Sequence, residues 1–432
     1  MTVSADLTQN GGPRSGPAQA RPAQTGPAQE GQAQEGQAQE GRAQEGLTPA
    51  ANGEAGFRPP PYPYARLGAV RAKAAALPGG AVDLSVGSPC DAPSPAVMAV
   101  LASADEGGAT RGYPSSAGSP AARRAAADWM AHRFGVSVDP GQVALCIGTK
   151  EFVGGLPHWL HLRDPSRDTV LYPELAYPTY EMGALLAGLR AVPVPVDEEF
   201  RLRLSADAVS EADARRALVL WVNSPGNPAG QLDDLAAAAA WGREHGVLVA
   251  SDECYAEMTW KGRPGTIIGH GGGGDGAEGV LAVHSVSKRS NLAGLRFGWY
   301  AGDGEMVEFL RDVRQHAGFM VPGVVQLAGT AALADQDHAD AQRARYRQRL
   351  ERLRDILTAV GVPGPFPEGG IYIWAPAPAG DAWALAARLA AEGGMVVSPG
   401  EFYGPAGAGY VRVAAVAPMD RIELVASRFG VA

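Results

Sequence analysis

Short apolar runs alternate with segments of helical periodicity from about residue 80 onwards. Each run spans four to six residues and is rich in Val, Leu and Ala, which is typical of strands buried on both faces of a parallel sheet. The predicted strands are Val143–Ile147, Thr169–Tyr172, Ala191–Val196, Ala217–Val222, Val247–Ala250 and Leu281–His284. Strands that alternate with helices predict an α/β domain built on a parallel sheet.

Capping residues mark the ends of the predicted helices. Ser119 and Pro120 predict a helix start, by a side-chain cap and a proline in the first turn, and Gly135 predicts its end. Leu232–His245 is predicted as an alanine-rich helix that ends at a glycine. Asp337–Val360 is predicted as a long, charged helix.

The pattern changes after residue 296. Gly370–Ala375, Met395–Ser398 and Tyr410–Val416 are predicted as strands among helices, and the segment Val82–Pro95 is expected to join them. We therefore predict a large domain, with a mostly parallel sheet flanked by helices, and a smaller α+β domain. The predicted boundaries are 58–105 for an N-terminal arm with part of the small domain, 106–310 for the large domain and 311–432 for the C-terminal small domain.

The first 57 residues differ in composition from the rest. A Gly-x-Ala-Gln-Glu unit repeats between Gly26 and Gly46, and aliphatic and aromatic side chains are almost absent. Such a segment has too little apolar surface to offset the entropy of ordering, so we predict a disordered low-complexity tail over 1–57. A helical or partner-binding role for it remains the alternative.

Composition limits the possible functions. The 432 residues, 46% of them hydrophobic, suffice for a large core, and the net charge of -9 argues against nucleic acid or anionic membranes as partners. Cys90, Cys146 and Cys254 are far apart, without metal-ligand or CxxC spacing, and predict small buried residues in a reducing compartment, with a disulfide or redox role as the alternative. Without an apolar signal or membrane-spanning stretch, we expect a cytoplasmic protein.

The motif with the most chemical content is Ser285-Val286-Ser287-Lys288, which is followed eight residues later by Arg296. Lys288 supplies an amine for covalent attachment of an aldehyde, the serines supply hydroxyls, and the planar guanidinium of Arg296 suits a phosphate. Pyridoxal 5′-phosphate (PLP) requires these three features, so the motif predicts a PLP site.

Four segments with residues suited to ligand binding begin where predicted strands end, and the lysine motif is one of them. They are Gly148-Thr149-Lys150-Glu151, Asn223 to Gly230, Ser251 to Tyr255, and Ser285 to Lys288 itself. Ligands of open parallel sheets bind beyond the carboxyl ends of the strands, and a glycine turn into a helix offers backbone N–H groups to a phosphate. The four segments therefore predict one shared site.

Taken together, these motifs resemble the fold-type I, class I/II aminotransferase family of PLP enzymes over roughly residues 80–430. The segments that carry the likeness are Asp-Leu-Ser-Val-Gly (83–87), Gly-Thr-Lys-Glu (148–151), Pro-Glu-Leu-Ala-Tyr-Pro-Thr-Tyr (173–180), Ser-Asp-Glu-Cys-Tyr (251–255) and Ser-Lys-Arg-Ser-Asn-Leu-Ala-Gly (287–294). They are most similar to actinobacterial N-succinyldiaminopimelate aminotransferases. The large domain is accordingly expected to bind PLP.

The resemblance implies roles for the residues around the cofactor ring. Lys288 would bind the cofactor covalently and move the proton of the substrate α-carbon. Asp252 would pair with the pyridine nitrogen, and Asn227 and Tyr255 would donate hydrogen bonds to the 3-oxygen of the ring. Tyr177 would stack on the ring. Taken singly, each could instead be a cap, a turn or a packing residue.

A second set is implied for the phosphate. Arg296 would grip it in a bidentate geometry, with Ser285, Ser287 and the amides of Thr149 and Lys150 as further donors. Tyr113, in Gly-Tyr-Pro, resembles the tyrosine that reaches the phosphate of a neighbouring subunit. The resemblance therefore implies a homodimer with shared active sites.

Substrate recognition is expected at Arg412, because an arginine among apolar strand neighbours needs an anion and the family binds the α-carboxylate there. Gly87 would let the chain lie close to the same carboxylate. Lys150 and Arg289 are candidate cations for a distal acidic group.

Two positions depart from the subfamily pattern. Leu295 stands where a tyrosine is common and Phe297 where a small residue is common. Both side chains are expected next to the site, where they would reshape it.

The function implied is that of a cytoplasmic PLP-dependent aminotransferase without a metal, working by a ping-pong cycle on small amino and keto acids. Glutamate would be the donor, and N-succinyl-2-amino-6-oxopimelate, an intermediate of lysine and diaminopimelate synthesis, the acceptor. Another class I/II enzyme, such as an aromatic aminotransferase or a C–S lyase, is the first alternative. A PLP-binding regulatory module is the distant one, since no helix-turn-helix pattern accompanies the tail.

Overall fold

The largest sheet of the protein has seven strands and forms the floor of a cavity. The computed structural model describes residues 57–105 and 107–432. The strands of all the sheets, in chain order, are β1 (Val82–Asp83), β2 (Val143–Cys146), β3 (Thr169–Pro173), β4 (Arg190–Val194), β5 (Ala217–Asn223), β6 (Leu248–Asp252), β7 (Val280–Ser285), β8 (Gly298–Gly302), β9 (Tyr372–Pro376), β10 (Met395–Val396), β11 (Ser398–Pro399) and β12 (Tyr410–Ala414).

Helices cover and connect these strands. They are α1 (Gly68–Ala75), α2 (Pro95–Ser103), α3 (Pro120–Phe134), α4 (Thr149–Arg163), α5 (Thr179–Leu186), α6 (Glu211–Arg216), α7 (Leu235–His245), α8 (Val286–Arg289), α9 (Gly304–His316), α10 (Gly323–Ala334), α11 (Gln336–Ala359), α12 (Ala382–Gly393) and α13 (Met419–Arg428). Among the residues described, no helix combines the length and apolar character that crossing a membrane requires.

The strand order of the large sheet is β2-β8-β7-β6-β5-β3-β4. Only β8 runs against its neighbours; β7, β6, β5, β3 and β4 are successive parallel partners. Every residue of β5, β6 and β7 is buried. Both faces of these strands are therefore covered, which explains their continuous apolar runs. The predicted α/β fold with a mostly parallel sheet is confirmed.

A second, antiparallel sheet has the order β11-β12-β9, and β1 pairs in parallel with β10. It packs with α11, α12 and α13 around its own core, which includes Leu353, Ile373 and Val413. The predicted joining of the segment near Val82 to the C-terminal strands is confirmed by the β1–β10 pairing. The exact domain boundaries stay a prediction, and Pro61–Ala432 form one compact unit.

Several local predictions are confirmed and others are wrong. Ser119 accepts from the Ala122 amide and Gly135 ends α3 with a positive φ, as its capping pattern predicts. The strand Gly298–Gly302 was not predicted, and Met395–Ser398 is two short strands rather than one. Cys90 is exposed, not buried, and all three cysteines are free thiols. The prediction for the tail lies almost wholly outside the described residues.

Candidate active site

A cavity of about 240 Å³ lies at the carboxyl ends of β5, β6 and β7. Twelve of the residues singled out from the sequence line it: Gly87, Thr149, Lys150, Tyr177, Asn227, Asp252, Tyr255, Ser285, Ser287, Lys288, Arg296 and Arg412. Their segments are far apart in sequence, so the sheet brings them together at the edge where ligands of open parallel sheets bind.

Lys288 projects into this cavity from α8, one helical turn beyond the end of β7. Its Nζ donates a hydrogen bond to the carbonyl oxygen of Gly87 at 2.5 Å. Burial lowers its pKa from the ordinary 10.5 to about 8, and the charges of Arg412 and Arg296 act in the same direction. A lysine amine that is partly neutral near physiological pH can act as a nucleophile and as a base.

Asp252, the last residue of β6, lies deep in the cavity. Its Oδ2 accepts from the Tyr180 hydroxyl at 2.9 Å, and its Oδ1 accepts from the Cys254 amide at 3.2 Å. The Tyr180 ring is itself stacked on Trp221, with the centroids 5.2 Å apart. Burial raises the pKa of Asp252, although these hydrogen bonds oppose the shift. The carboxylate is therefore fixed in direction and lacks a cationic partner among the described residues.

The loop after β5 is held in place by Asn223. Its side-chain nitrogen donates to the Asp252 carbonyl at 2.9 Å, and its Oδ1 accepts from the Asn227 amide at 2.8 Å. The side chain of Asn227 is thereby directed at the cavity, where its Oδ1 accepts from Nη1 of Arg412 at 2.7 Å. Asn227 thus contacts the residue expected to bind the substrate.

A cradle for an anion lies at the start of α4. Gly148 precedes this helix with φ +71°, and a Cβ there would lie 2.1 Å from Nη2 of Arg296. Only a glycine lets the guanidinium lie across the loop. Because the first N–H groups of a helix have no partner within it, the amides of Thr149 and Lys150 are available beside Arg296. The cradle combines a fixed cation with backbone donors.

The two serines complete this side of the cavity. Ser285 caps α8 by accepting from the Ser287 amide at 3.0 Å, and the two hydroxyls are 2.6 Å apart. Both hydroxyls line the same cavity as Arg296. They are placed to rotate toward an anion without any change in the backbone.

Arg412 lies on β12 and is almost fully buried. Its Cζ is 4.1 Å from the ring centroid of Tyr372 and 4.6 Å from that of Tyr403. The hydroxyl oxygens of Tyr372 and Tyr255 are 2.6 Å apart and share a hydrogen bond. A Cβ on Gly87 would lie 2.1 Å from the Tyr372 hydroxyl, so the close approach of the chain there requires glycine.

Lys150 extends over the mouth of the cavity. Its Nζ is 5.5 Å from the ring centroid of Tyr62 and 5.8 Å from that of Tyr177. None of the ion pairs among the described residues involves Lys150. A cation held between two aromatic faces and free of carboxylates is suited to an anionic ligand.

Some predicted positions lie elsewhere. Tyr113 is fully exposed and does not line the cavity of its own chain. Arg289 is wrong as a candidate for the distal cation, because it is buried away from the cavity and donates to Glu257 at 3.0 Å. Leu295 and Phe297 do not line the cavity either; both pack in the core of the large sheet, where Phe297 is fully buried.

Ten further residues line the cavity without having been singled out as site residues: Tyr62, Tyr64, Val86, Ser88, Val153, Tyr180, Asn223, Cys254, Ala293 and Tyr372. Tyr180 and Asn223 stand inside the segments already recognised, so their polar groups could have been selected. Tyr62, Tyr64 and Tyr372 come from segments without a motif. Only the folded chain shows that they reach the site.

The side chains fit PLP. They offer a lysine with a lowered pKa, a buried carboxylate without a cation, and an anion cradle that a Cβ at position 148 would fill. When bound, PLP supplies an aldehyde for the amine and a ring that accepts negative charge. Lys288 would hold the aldehyde carbon, Asp252 the ring nitrogen, and Arg296 with the start of α4 the phosphate.

Comparison with known proteins agrees with this geometry. A family model described as aminotransferase class I and II matches residues 80–428. Over 372 residues the chain is 41% identical to the 4-dedimethylamino-4-oxo-anhydrotetracycline transaminase OxyQ of Streptomyces rimosus, covering 85% of this chain and 98% of that protein. It is 38% identical over 371 residues to an LL-diaminopimelate aminotransferase of Desulforudis audaxviator, covering 84% and 93% of the two chains.

A solved structure also superposes well. That of a probable N-succinyldiaminopimelate aminotransferase from Thermus thermophilus has a TM-score of 0.75 and 31% identity, and the match covers 85% of this chain and 98% of the other.

Proposed function

The chain belongs to the class I and II aminotransferases, a PLP-dependent family, and within it we propose that the enzyme acts on substrates with a second acidic group. The proposed reaction moves an amino group between glutamate, with 2-oxoglutarate as its keto form, and an acidic amino acid or semialdehyde. The favoured pair is N-succinyl-LL-2,6-diaminopimelate and N-succinyl-2-amino-6-oxopimelate. The relatives named for diaminopimelate and succinyldiaminopimelate substrates support this choice.

The observation that carries the proposal is that one cavity holds two cations, Arg412 and Lys150, besides the Lys288 and Arg296 that would hold the cofactor. Arg412 lies at the inner wall and Lys150 at the mouth, between Tyr62 and Tyr177. An α-amino acid with one carboxylate would use Arg412 alone. A substrate with a distal carboxylate would also satisfy Lys150, which has no ion pair among the residues described.

The side chains of the cavity would share the work of catalysis. Arg412 would bind the α-carboxylate and thereby direct the α-carbon toward Lys288. With a pKa of about 8, the Lys288 amine can take a proton from that carbon and return it. Asp252, oriented by Tyr180, would keep a proton on the ring nitrogen of the cofactor. The cradle at the start of α4 would hold the phosphate still while the substrate changes.

A second candidate is amination of a larger, polycyclic ketone, as the name of OxyQ describes for that protein. The 41% identity over nearly the whole of OxyQ favours it. The mouth of the cavity also carries exposed apolar surface at Tyr62 and Val86, which are 59% and 39% exposed. A flat, apolar substrate would cover this surface.

Steady-state kinetics with 2-oxoglutarate as acceptor would test the proposal. N-succinyl-LL-diaminopimelate, LL-diaminopimelate, phenylalanine and cystathionine would be compared as donors, with glutamate formation as the readout. We expect the first to have the highest kcat/KM. Preference for phenylalanine, or release of pyruvate and ammonia from cystathionine, would refute the acidic-substrate proposal. Glutamate-dependent amination of a polycyclic ketone in preference to the acidic substrates would support the second candidate.

A further inference from the structure

The guanidinium of Arg412 is held by a segment from the N-terminal side of the fold. Its Nη2 donates to the carbonyl oxygen of Ser85 at 2.6 Å and to the hydroxyl of Tyr64 at 3.2 Å. Both N–H groups of Nη2 are therefore occupied. Nη1 donates to Asn227, and Nε has no partner within the described part of the chain.

Tyr64 belongs to a short 3-10 helix, Pro63–Leu67, that leads into α1. Its hydroxyl lies 2.8 Å from that of Tyr403, whose ring covers one face of the Arg412 guanidinium. The Tyr64 ring also packs edge-on against Phe402, with the centroids 5.5 Å apart. Tyr64 is therefore placed by packing as well as by its hydroxyl.

Arg71, on α1, connects this segment to Ser85, which lies two residues beyond the end of β1. Its Nη1 donates to the Tyr64 carbonyl at 3.0 Å, and its Nη2 donates to the Ser85 hydroxyl at 3.4 Å. The two residues that occupy Nη2 of Arg412, through the Tyr64 hydroxyl and the Ser85 carbonyl, are thus both contacted by Arg71 through their other polar groups. Tyr64 and Ser85 form a fixed pair of acceptors rather than two independent contacts.

We propose that Tyr64 is a positioning residue of the substrate site: its hydroxyl sets the orientation of the Arg412 guanidinium for the α-carboxylate. Two occupied N–H groups on Nη2 prevent the guanidinium from turning in its own plane, while the rings of Tyr372 and Tyr403 prevent it from tilting. The inference rests on the proposed function, since it requires that Arg412 binds a substrate carboxylate.

Tyr64→Phe tests this proposal, because it removes the hydroxyl and keeps the ring. A hydrogen bond to a charged group is worth enough to change binding by about 10-fold, and we expect KM for glutamate to rise by that factor with kcat within about 3-fold. The half-reaction with 4-aminobutyrate, which has the distal carboxylate of glutamate but no α-carboxylate, should keep its rate. The dissociation constant of glutarate, measured by calorimetry on the cofactor-loaded protein, should also rise by about 10-fold.

Two further variants provide controls. Tyr403→Phe removes the partner of the Tyr64 hydroxyl, so it should act in the same direction but more weakly, and the double variant should lose less than the two effects combined. Tyr410→Phe is the matched control. It removes a tyrosine hydroxyl two residues before Arg412 on the same strand, outside the cavity, and should change none of these values.

The outcomes separate this inference from the proposed function. If Tyr64→Phe reacts less well with glutamate and 4-aminobutyrate to the same degree, or is unchanged with both, the role of Tyr64 is overturned. The proposed function stays intact in that case as long as the wild-type enzyme is active. Wild-type protein that fails to react with any acidic amino acid would refute the proposed function itself. An Arg412→Gln variant that keeps the wild-type KM for glutamate would refute both.

Discussion

Nη1 of Arg412 donates a hydrogen bond of 2.7 Å to Oδ1 of Asn227. Arg412 belongs to the three-stranded antiparallel sheet, and Asn227 follows β5 of the large sheet. This contact therefore joins the proposed carboxylate site to the loop beside the proposed cofactor ring. Because Arg412 occupies only Oδ1, the Nδ2 of Asn227 remains available as a donor to the ring, so one side chain connects carboxylate binding with the cofactor.

The pH dependence of cofactor attachment follows from Lys288. Only the neutral amine can attack an aldehyde, and burial lowers the pKa of Lys288 to about 8. The rate of PLP attachment to cofactor-free protein should therefore rise with pH and level off above about 8. Stopped-flow absorbance at constant PLP would measure it, with a lysine-containing model peptide as the control. A rate that keeps rising to the ordinary lysine pKa would contradict this expectation.

The hydrogen bond between Tyr180 and Asp252 gives a graded prediction. Asp252→Asn removes the charge that the ring nitrogen requires and should lower kcat about 100-fold or more. Tyr180→Phe removes one hydrogen bond and should lower kcat about 10-fold. Tyr300→Phe is the control, because the Tyr300 hydroxyl is buried and has no partner among the described residues. Similar losses in the two tyrosine variants would show that Tyr180 acts only through packing.

The anion cradle can be tested by adding a single methyl group. Gly148→Ala would place that group 2.1 Å from Nη2 of Arg296 and should weaken PLP binding by about 10-fold or more. Gly188→Ala is the matched control, since Gly188 also has φ +71° but a Cβ added there would meet no other part of the chain within 4 Å. Both variants should lose about 1–3 kcal/mol of folding free energy from backbone strain. Equal PLP affinity in the two variants would exclude the cradle as the phosphate site.

Substrate selectivity is predicted to depend on Lys150. Lys150→Met keeps most of the length of the side chain and removes its charge, so kcat/KM for glutamate should fall by about 10- to 100-fold. The value for alanine, which has no distal carboxylate, should stay within about 3-fold of the wild type. Lys261→Met serves as the control, because this lysine is 70% exposed, pairs with Glu368 and lies outside the cavity. A parallel fall for both substrates would assign Lys150 a general structural role.

The sequence predicted the large sheet and most of the cavity because both rest on local patterns. Continuous apolar runs identify the strands buried on both faces, and Lys288, Asp252 and Asn227 follow directly where those runs end. The strand Gly298–Gly302 was missed because it begins and ends with glycine and runs antiparallel beside the motif that contains Arg296.

The rest of the site depends on contacts between distant segments. The Tyr255 hydroxyl meets that of Tyr372 across 117 residues of sequence, and Tyr64 meets Arg412 across 348. Neither Tyr372 nor Tyr64 stands in a motif, so only the folded chain assigns them to the cavity. Arg289 illustrates the converse, since its place beside Lys288 suggested a site cation, yet its side chain donates to Glu257 outside the cavity.

Lys288 is one of four lysines in the chain, with Lys73, Lys150 and Lys261, so the site of cofactor attachment can be identified directly. Protein loaded with PLP would be reduced with borohydride, which makes the bond between lysine and cofactor permanent, and its peptides would be mapped by mass spectrometry. We predict that the modification lies on Lys288. The Lys288→Ala variant should lack the modification, the visible absorbance band and all transamination activity. Modification of another lysine instead, or full activity of Lys288→Ala, would contradict attachment of the cofactor at Lys288.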